Sequence, residues 1–365
     1  MFGAREASWP LIRHDLGLQY IQVGLLLSLP TIVSSLVEPI LGVLADTGWR
    51  RRLILGGGVM FAAGLLLFAT SPSFLALLLA FALLYPASGS FVSLSQATLM
   101  DLAPGRREQN MARWTIAGSV GAVAGPLLLA GLVTLHLGWR PLFAALAVLT
   151  LPAIVLAASQ FSDHDRRDKE ESLLSGLRAA LHEVSRPSVL RWLALLECSD
   201  LLADVLLGYL ALYFVDVAGA TASQAALAVT VWTAAGLAGS LLLLPLLARF
   251  DGLLYLRASA LAALIVFPLL LLVPGLFPKL LLVGCLALIN AGWYPVLQAR
   301  LYAELPERSG TAMALGTIFG TGAALLPILV GLVAQRAGLH VALWLLAAGP
   351  IVILLGLPRC PCVPN

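Results

Sequence analysis

The sequence predicts an all-α integral membrane protein built from two related halves, and three observations carry that prediction. Hydrophobic residues make up 60% of the chain and charged residues only 11%, with a mean hydropathy of +0.96; soluble domains carry roughly 25% charged residues. Apolar runs of about 20 residues recur along the chain, the length a helix needs to cross a bilayer while satisfying its own backbone hydrogen bonds. The third observation is an internal repeat. Shifted by 202 positions, Gln96–Gly118 meets Gln298–Gly320 without a gap, and 10 of 23 positions agree, among them Pro104/Pro306, Arg106/Arg308, Met111/Met313 and Gly118/Gly320. Chance matching in so Leu- and Ala-rich a chain gives about two.

The spans follow in order. Apolar runs at 20–41, 53–70, 74–97, 114–135 and 141–159 are separated by polar or charged turns, and the second half repeats the pattern at 189–214, 224–248, 254–273, 279–300, 311–334 and 340–358. The repeat numbers these eleven as helices 2 to 12 of twelve, because the offset sets Leu190–Phe214 against positions that begin before Met1. Most of helix 1 is therefore expected to be missing. Ser8-Trp9-Pro10-Leu11-Ile12 reads as its tail, and Arg13-His14-Asp15-Leu16-Gly17-Leu18 as a polar hairpin into helix 2. Met1–Tyr20 lacks the apolar run and cleavage site of a signal peptide; its likeness to the tail of a lost helix gives the expectation of a start codon upstream of Met1, with a naturally shortened protein as the alternative. The resulting organisation is an N-terminal bundle over residues 1–160, a cytoplasmic linker over 161–187 and a C-terminal bundle over 188–365.

Charge sets the orientation. With Arg50, Arg51 and Arg52 in the cytoplasm, alternation puts 17 of the 22 Lys and Arg inside and leaves five outside: Arg5, Arg13, Arg140, Lys279 and Arg336. That bias places the C-terminus in the cytoplasm of a cell membrane, inner or plasma. Asp163–Glu183 mixes both signs midway along the chain and reads as a solvated linker with a short amphipathic helix at Leu173–Val184. Cys198 and Cys285 fall inside spans, and Cys360-Pro-Cys362 lies on the tail without His or a second pair, so no metal site is expected.

Gly42-Val43-Leu44-Ala45-Asp46-Thr47-Gly48-Trp49-Arg50-Arg51-Arg52, between the first two of these spans, resembles the signature loop of the major facilitator superfamily, G-x-L-A-D-x-x-G-R-[RK]. Here the second Gly stands one place early and Trp49 precedes the arginines. The repeat length, the central linker and the Pro-x-Arg loops at Pro104–Arg106 and Pro306–Arg308 fit the same family. The resemblance implies that family's fold, two pseudo-symmetric six-helix bundles, with about 11 of 12 transmembrane helices present in this chain. It also implies that Gly42, Asp46, Gly48, Arg50, Arg51 and Arg52 form a conformational latch, with Asp46 near the N–H groups of helix 11 around Gly310 and Thr311, which favour an anion. The arginines can pair with Asp101 or Glu108, or serve only to set topology. The second-half counterpart, Ala248-Arg249-Phe250-Asp251-Gly252, is degenerate. Gly118, Gly121, Gly125 and Pro126 in helix 5 resemble the family's antiporter motif, although Leu128 and Leu129 stand where a Gly pair is expected.

Helix 7 holds the sharpest constellation. Glu197, Asp200 and Asp204 are spaced i, i+3, i+7, within about a 60° arc of an α-helix. A carboxylate at that depth costs about 2.5–3.5 kcal/mol on insertion scales, so the three are expected to face a wet cavity or partners rather than lipid. No Lys or Arg is expected deep in any span to neutralise them, so a proton shared among them, or a cationic substrate, is the expected answer. Glu38, before Pro39, is a second candidate for proton coupling, or a snorkelling residue. In the resembled family helices 1, 4, 7 and 10 line the central cavity, which nominates Tyr85, Ser88 and Gln96 from helix 4 and Asn290, Trp293 and Tyr294 from helix 10 as substrate-contacting residues.

No catalytic motif is found. His182-Glu183 lacks the second His of a zinc protease helix, and neither a Gly-x-Ser-x-Gly elbow nor a phosphate loop occurs. The sequence therefore reads as a secondary active transporter of a small drug-like or sugar-like molecule, not an enzyme, with no cofactor and a proton gradient as its energy source. Efflux by alternating access is the leading reading. The alternatives are a truncated, non-transporting membrane scaffold and a proton-coupled uptake symporter. The expected partners are the lipid bilayer and the substrate, with no nucleic acid, and the expected state is a monomer.

Overall fold

The computed structural model describes residues 1–45, 49–102, 107–160, 186–247, 249–304, 320, 322 and 324–358. In chain order the helices are α1 (Phe2–Leu16), α2 (Tyr20–Leu44), α3 (Arg50–Thr70) and α4 (Phe74–Ser88), which runs through a π-turn (Gly89–Ser93) into α5 (Leu94–Leu102). Next come α6 (Arg107–Thr134), α7 (Arg140–Gln160) and α8 (Pro187–Asp200), the last continuing through a π-turn (Leu201–Val205) into α9 (Leu206–Asp216). The remainder are α10 (Ala222–Leu247), α11 (Gly252–Leu272), α12 (Leu276–Asn290), α13 (Trp293–Glu304), α14 (Leu326–Ala337), α15 (Leu339–Leu343) and α16 (Ala348–Gly356).

Ten described helices are long and apolar enough to cross a membrane, in agreement with ten of the eleven expected spans. The other, 311–334, is described only at 320, 322 and 324–334, where the apolar α14 represents it. The expected linker helix at Leu173–Val184 and the Cys360/Cys362 pair also lie outside them.

The N-terminus departs from expectation. Arg13–Leu16 is not part of a polar hairpin: α1 runs for 15 residues and turns only at Gly17, whose left-handed φ of 61° ends it. At about 1.5 Å per residue it is roughly 22 Å long. Ala4, Ala7, Trp9 and Ile12 are at most 1% exposed, and α1 packs against α6, α9 and α10 in the middle of the bundle. Arg5 and Glu6 interrupt its apolar run, which is why hydropathy does not register a helix whose charged face meets other protein. Arg5 is correspondingly a helix residue and not one of the outside loop charges.

Packing sorts the spans by solvent. The helix Pro187–Asp216 has 67% of its most apolar window buried, against 17% for Ile116–Thr134 and 22% for Arg140–Ser159; the first is central and the other two present their sides to lipid. Leu149, Val155 and Leu355, each at least 66% exposed, sit on such faces, where lipid replaces water as the contact. α3 packs against α4 and α7, α11 against α12 and α16, and α8 against α13 and α16. Between the halves of the sequence, α2 lies along α14 and α6 along α10. An aromatic cluster fixes one end of the first group: Phe68 meets Phe143 at 4.3 Å and Trp139 at 5.3 Å, and Trp139 Nε1 donates to Asp15 Oδ2 at 2.9 Å.

Candidate functional site

Among the described residues, a cavity of about 530 Å³ opens at the meeting of α1, α2, α4 and the α8–α9 junction. Helix 7 owes its shape here to the π-turn Leu201–Val205. Bonding to i+5 inserts an extra residue into the ladder, and residues four apart keep to one face of the helix. Asp200 and Asp204 therefore both line the cavity, Asp204 exposed to it and Asp200 partly buried. Ser199 Oγ donates to Asp200 Oδ1 at 3.4 Å. Glu197 stands apart: its Oε2 is buried without a hydrogen-bond partner, and it lies near Gly320.

α1 supplies what the sequence reading missed. Arg5 and Glu6 line the same cavity, so a basic residue does lie deep among the spans, contrary to expectation. Arg5, 7% exposed, donates through Nη1 to the Tyr85 hydroxyl and through Nη2 to Glu6 Oε1. Glu6 Oε2 accepts from Trp9 Nε1 at 2.8 Å. The guanidinium lies over the Phe2 ring at 5.1 Å and the Tyr85 ring at 5.5 Å, a cage that suits its weakly hydrated plane. Asp204 is within electrostatic range of both Glu6 and Arg5. The available signal was the spacing of Glu6 and Trp9, i and i+3 on a helix beside a charged pair.

α2 forms the opposite wall through Thr31, Ser34, Ser35 and Glu38. Ser34 Oγ donates to a Glu38 carboxylate oxygen at 2.5 Å, and Glu38 lies against Gly89 in the other π-turn. The described lining thus carries four carboxylates, Glu6, Glu38, Asp200 and Asp204, against one guanidinium, Arg5, which is already paired with Glu6. Leu27, Val205, Leu207, Ala324, Leu326 and Pro327 give the rest of the wall an apolar surface.

Of the helix 4 and helix 10 candidates, Tyr85 lines the cavity, and Ser88, Gln96, Asn290, Trp293 and Tyr294 are not among its described lining. Trp293 is 1% exposed and donates to Ser259 Oγ at 2.9 Å, a packing bond to α11. Asn290 is 9% exposed and Tyr294 55% exposed. In the signature loop Asp46 and Gly48 lie outside the described residues, as do the surroundings of Gly42 and the side chains of the loop's expected partners Asp101 and Glu108. Arg52 stacks over Trp49 at 5.0 Å, and Arg50 and Arg51 both have partners. In the second half Asp251 caps α11, accepting from Leu253 N at 3.1 Å, and pairs with Arg300 at 3.0 Å. Of the helix 5 glycines, Gly125 lies against Ala4 of α1, and Gly118 and Gly121 have nothing within 4 Å of where a Cβ would stand.

Residues 6–321 match the family described as Major Facilitator Superfamily. The chain is 30% identical over 153 residues to the fosmidomycin resistance protein of Escherichia coli (strain K12), an alignment covering 40% of this chain and 37% of that protein. It is 34% identical over 154 residues to the chloramphenicol resistance protein of Pseudomonas aeruginosa, covering 40% and 36% respectively. The matches thus span little more than a third of the length of these relatives. Among solved structures, a bacterial homologue of the human lysosomal transporter Spinster, in an inward-facing and unoccupied conformation, superposes with a TM-score of 0.78 at 17% identity, covering 98% of this chain and 92% of that one. The nucleoside transporter NupG gives a TM-score of 0.78 at 15% identity, covering 98% and 94%. At these identities the likeness is one of fold.

Proposed function

Since the chain belongs to the major facilitator superfamily, we propose that it is a secondary active transporter that moves a small organic molecule out of the cell by alternating access, in exchange for protons. The observation that carries this reading is the central cavity, whose described lining has carboxylates in excess over one guanidinium and an apolar wall beside them. Three carboxylates, Glu38, Asp200 and Asp204, are left without a cationic partner in the described lining once Glu6 has taken Arg5. In a medium that solvates charge poorly they must be answered by protons or by a ligand. A substrate with a positively charged head and an apolar body answers both surfaces, the head against Asp200 and Asp204 and the body against Leu207, Leu326 and Pro327. Protons and such a cation compete for the same oxygens, which is the exchange a proton-driven exporter requires. The resistance proteins among the relatives support the efflux direction.

Everted membrane vesicles test this. An acid interior is expected to drive accumulation of a cationic dye such as ethidium, and a neutral or anionic probe of similar size is expected to respond much less. Accumulation of the anionic probe alone would overturn the charge assignment. Gradient-driven movement of the dye in the opposite direction would replace efflux by uptake.

A further inference from the structure

The end of the bundle opposite Arg50–Arg52 is closed by contacts that the cavity does not explain. At that end α1 turns into α2, α9 stops at Asp216 and α14 stops at Ala337. Beneath its surface α2 and α14 touch backbone to backbone. A Cβ on Gly24 would stand 2.6 Å from Pro327 O, and a Cβ on Gly331 would stand 2.6 Å from Tyr20 O. Any side chain at either position forces the helices apart. Tyr209, wholly buried, donates its hydroxyl to Pro327 O at 2.7 Å and fills the angle between the two glycines. Leu27, Leu207 and Pro327 belong to the cavity wall, so this crossing stands between the cavity and the closed end.

A charged layer sits above the crossing. Asp216 Oδ2 accepts from Arg13 Nη1 at 2.7 Å and from the Tyr20 hydroxyl at 2.8 Å. The Arg13 guanidinium also lies 4.2 Å from the Tyr20 ring centroid, and its Nε donates to Leu18 O at 3.1 Å. Tyr20 N donates to Gln335 Oε1 at 3.1 Å. These bonds tie the α1–α2 turn to the ends of α9 and α14, which come from the other half of the sequence.

We propose that Asp216 is the keystone of an outer gate, held shut by Arg13 and Tyr20, with the Gly24–Gly331 crossing as the dry seal beneath it. The proposal rests on the alternating-access reading and on the orientation that puts Arg50–Arg52 in the cytoplasm. The division of labour is physical. Side chains of Arg13 and Asp216 are 29% and 21% exposed, so water competes for both and the pair parts readily when the halves separate. The glycine crossing excludes solvent while shut and has no side chains to unlock.

The test uses the full chain, with its native cysteines replaced and a single reporter, Thr31→Cys, in the cavity wall. A membrane-impermeant maleimide is applied to intact cells, and proton-driven dye flux is followed in parallel. The parent is expected to label slowly from outside. Asp216→Asn and Gly331→Leu are expected to label severalfold faster, and the charge exchange Arg13→Asp with Asp216→Arg to return towards the slow parental rate. That recovery separates a gate from a mere loss of packing. Unchanged labelling in Asp216→Asn by a protein that still transports overturns the gate alone. Absence of outside labelling in every variant, Gly331→Leu included, together with absent flux, overturns the gate and the alternating-access reading together.

Discussion

Arg5 and Arg13 belong to one helix and meet different solvents. Arg5 and its partner Glu6 have side chains 9% and 6% exposed, and they are neighbours on a single turn, so no motion of one helix against another can part them. Arg13 and Asp216 are 29% and 21% exposed and join residues 203 apart in sequence, on different helices. The first pair is a fixed component of the cavity wall. The second is a contact that movement between helices can make and break. The contrast teaches that the distance in sequence between the partners, together with hydration, decides whether an ion pair can act as a switch.

The largest effect is expected at the fixed pair. Arg5→Ala leaves the Glu6 carboxylate buried without its cation, a change that typically costs about 3–5 kcal/mol, and thermal unfolding of the purified protein should show it. Arg5→Met combined with Glu6→Leu should unfold at a higher temperature than Arg5→Ala, since removing both charges leaves neither stranded. If the double variant is the less stable, the pair is not the local unit described here.

The seal comes next. Gly24→Leu inserts a side chain where the helices touch, and overpacking of this kind costs about 1–3 kcal/mol, expected as a clear fall in melting temperature and in transport. Asp216→Asn is expected to change stability least, by about 1 kcal/mol or less, even as it alters which face of the cavity is accessible. Raised ionic strength should reproduce part of that shift in the parent protein, since salt screens a partly exposed pair. Equal sensitivity of the Arg5 and Arg13 pairs to salt would erase the contrast.

Most of the fold was legible in the sequence because spanning helices must be long and apolar, and ten of the eleven expected spans recur among the described helices. α1 was not legible. Hydropathy reads a helix by its lipid-facing surface, and α1 turns Arg5 and Glu6 towards other protein instead. For the same reason the carboxylates of helix 7 were found and the basic residue beside them in the cavity wall was not. Asp200 and Asp204 announced themselves as charges within an apolar run, whereas Arg5 lay in a segment taken for a tail. The helix 7 pattern was drawn on an ideal α-helix, and the π-turn at Leu201–Val205 changes which residues share a face. Such a turn leaves no periodic trace in the sequence. Trp293 and Asn290 were nominated by helix number alone, which does not fix the rotation of a helix about its axis.

The most direct test of the central claim, that the carboxylates beside α1 couple transport to protons, is flux in proteoliposomes under an imposed pH gradient. Asp200→Asn combined with Asp204→Asn keeps the size of both side chains and removes the charge that protons and substrate exchange. The account expects cationic dye flux driven by the gradient in the parent and loss of the gradient response in the double amide, at least about tenfold, equivalent to about 1.4 kcal/mol in the coupled step, with the protein still folded. Full gradient-driven flux through the double amide would contradict it and leave these carboxylates as packing groups.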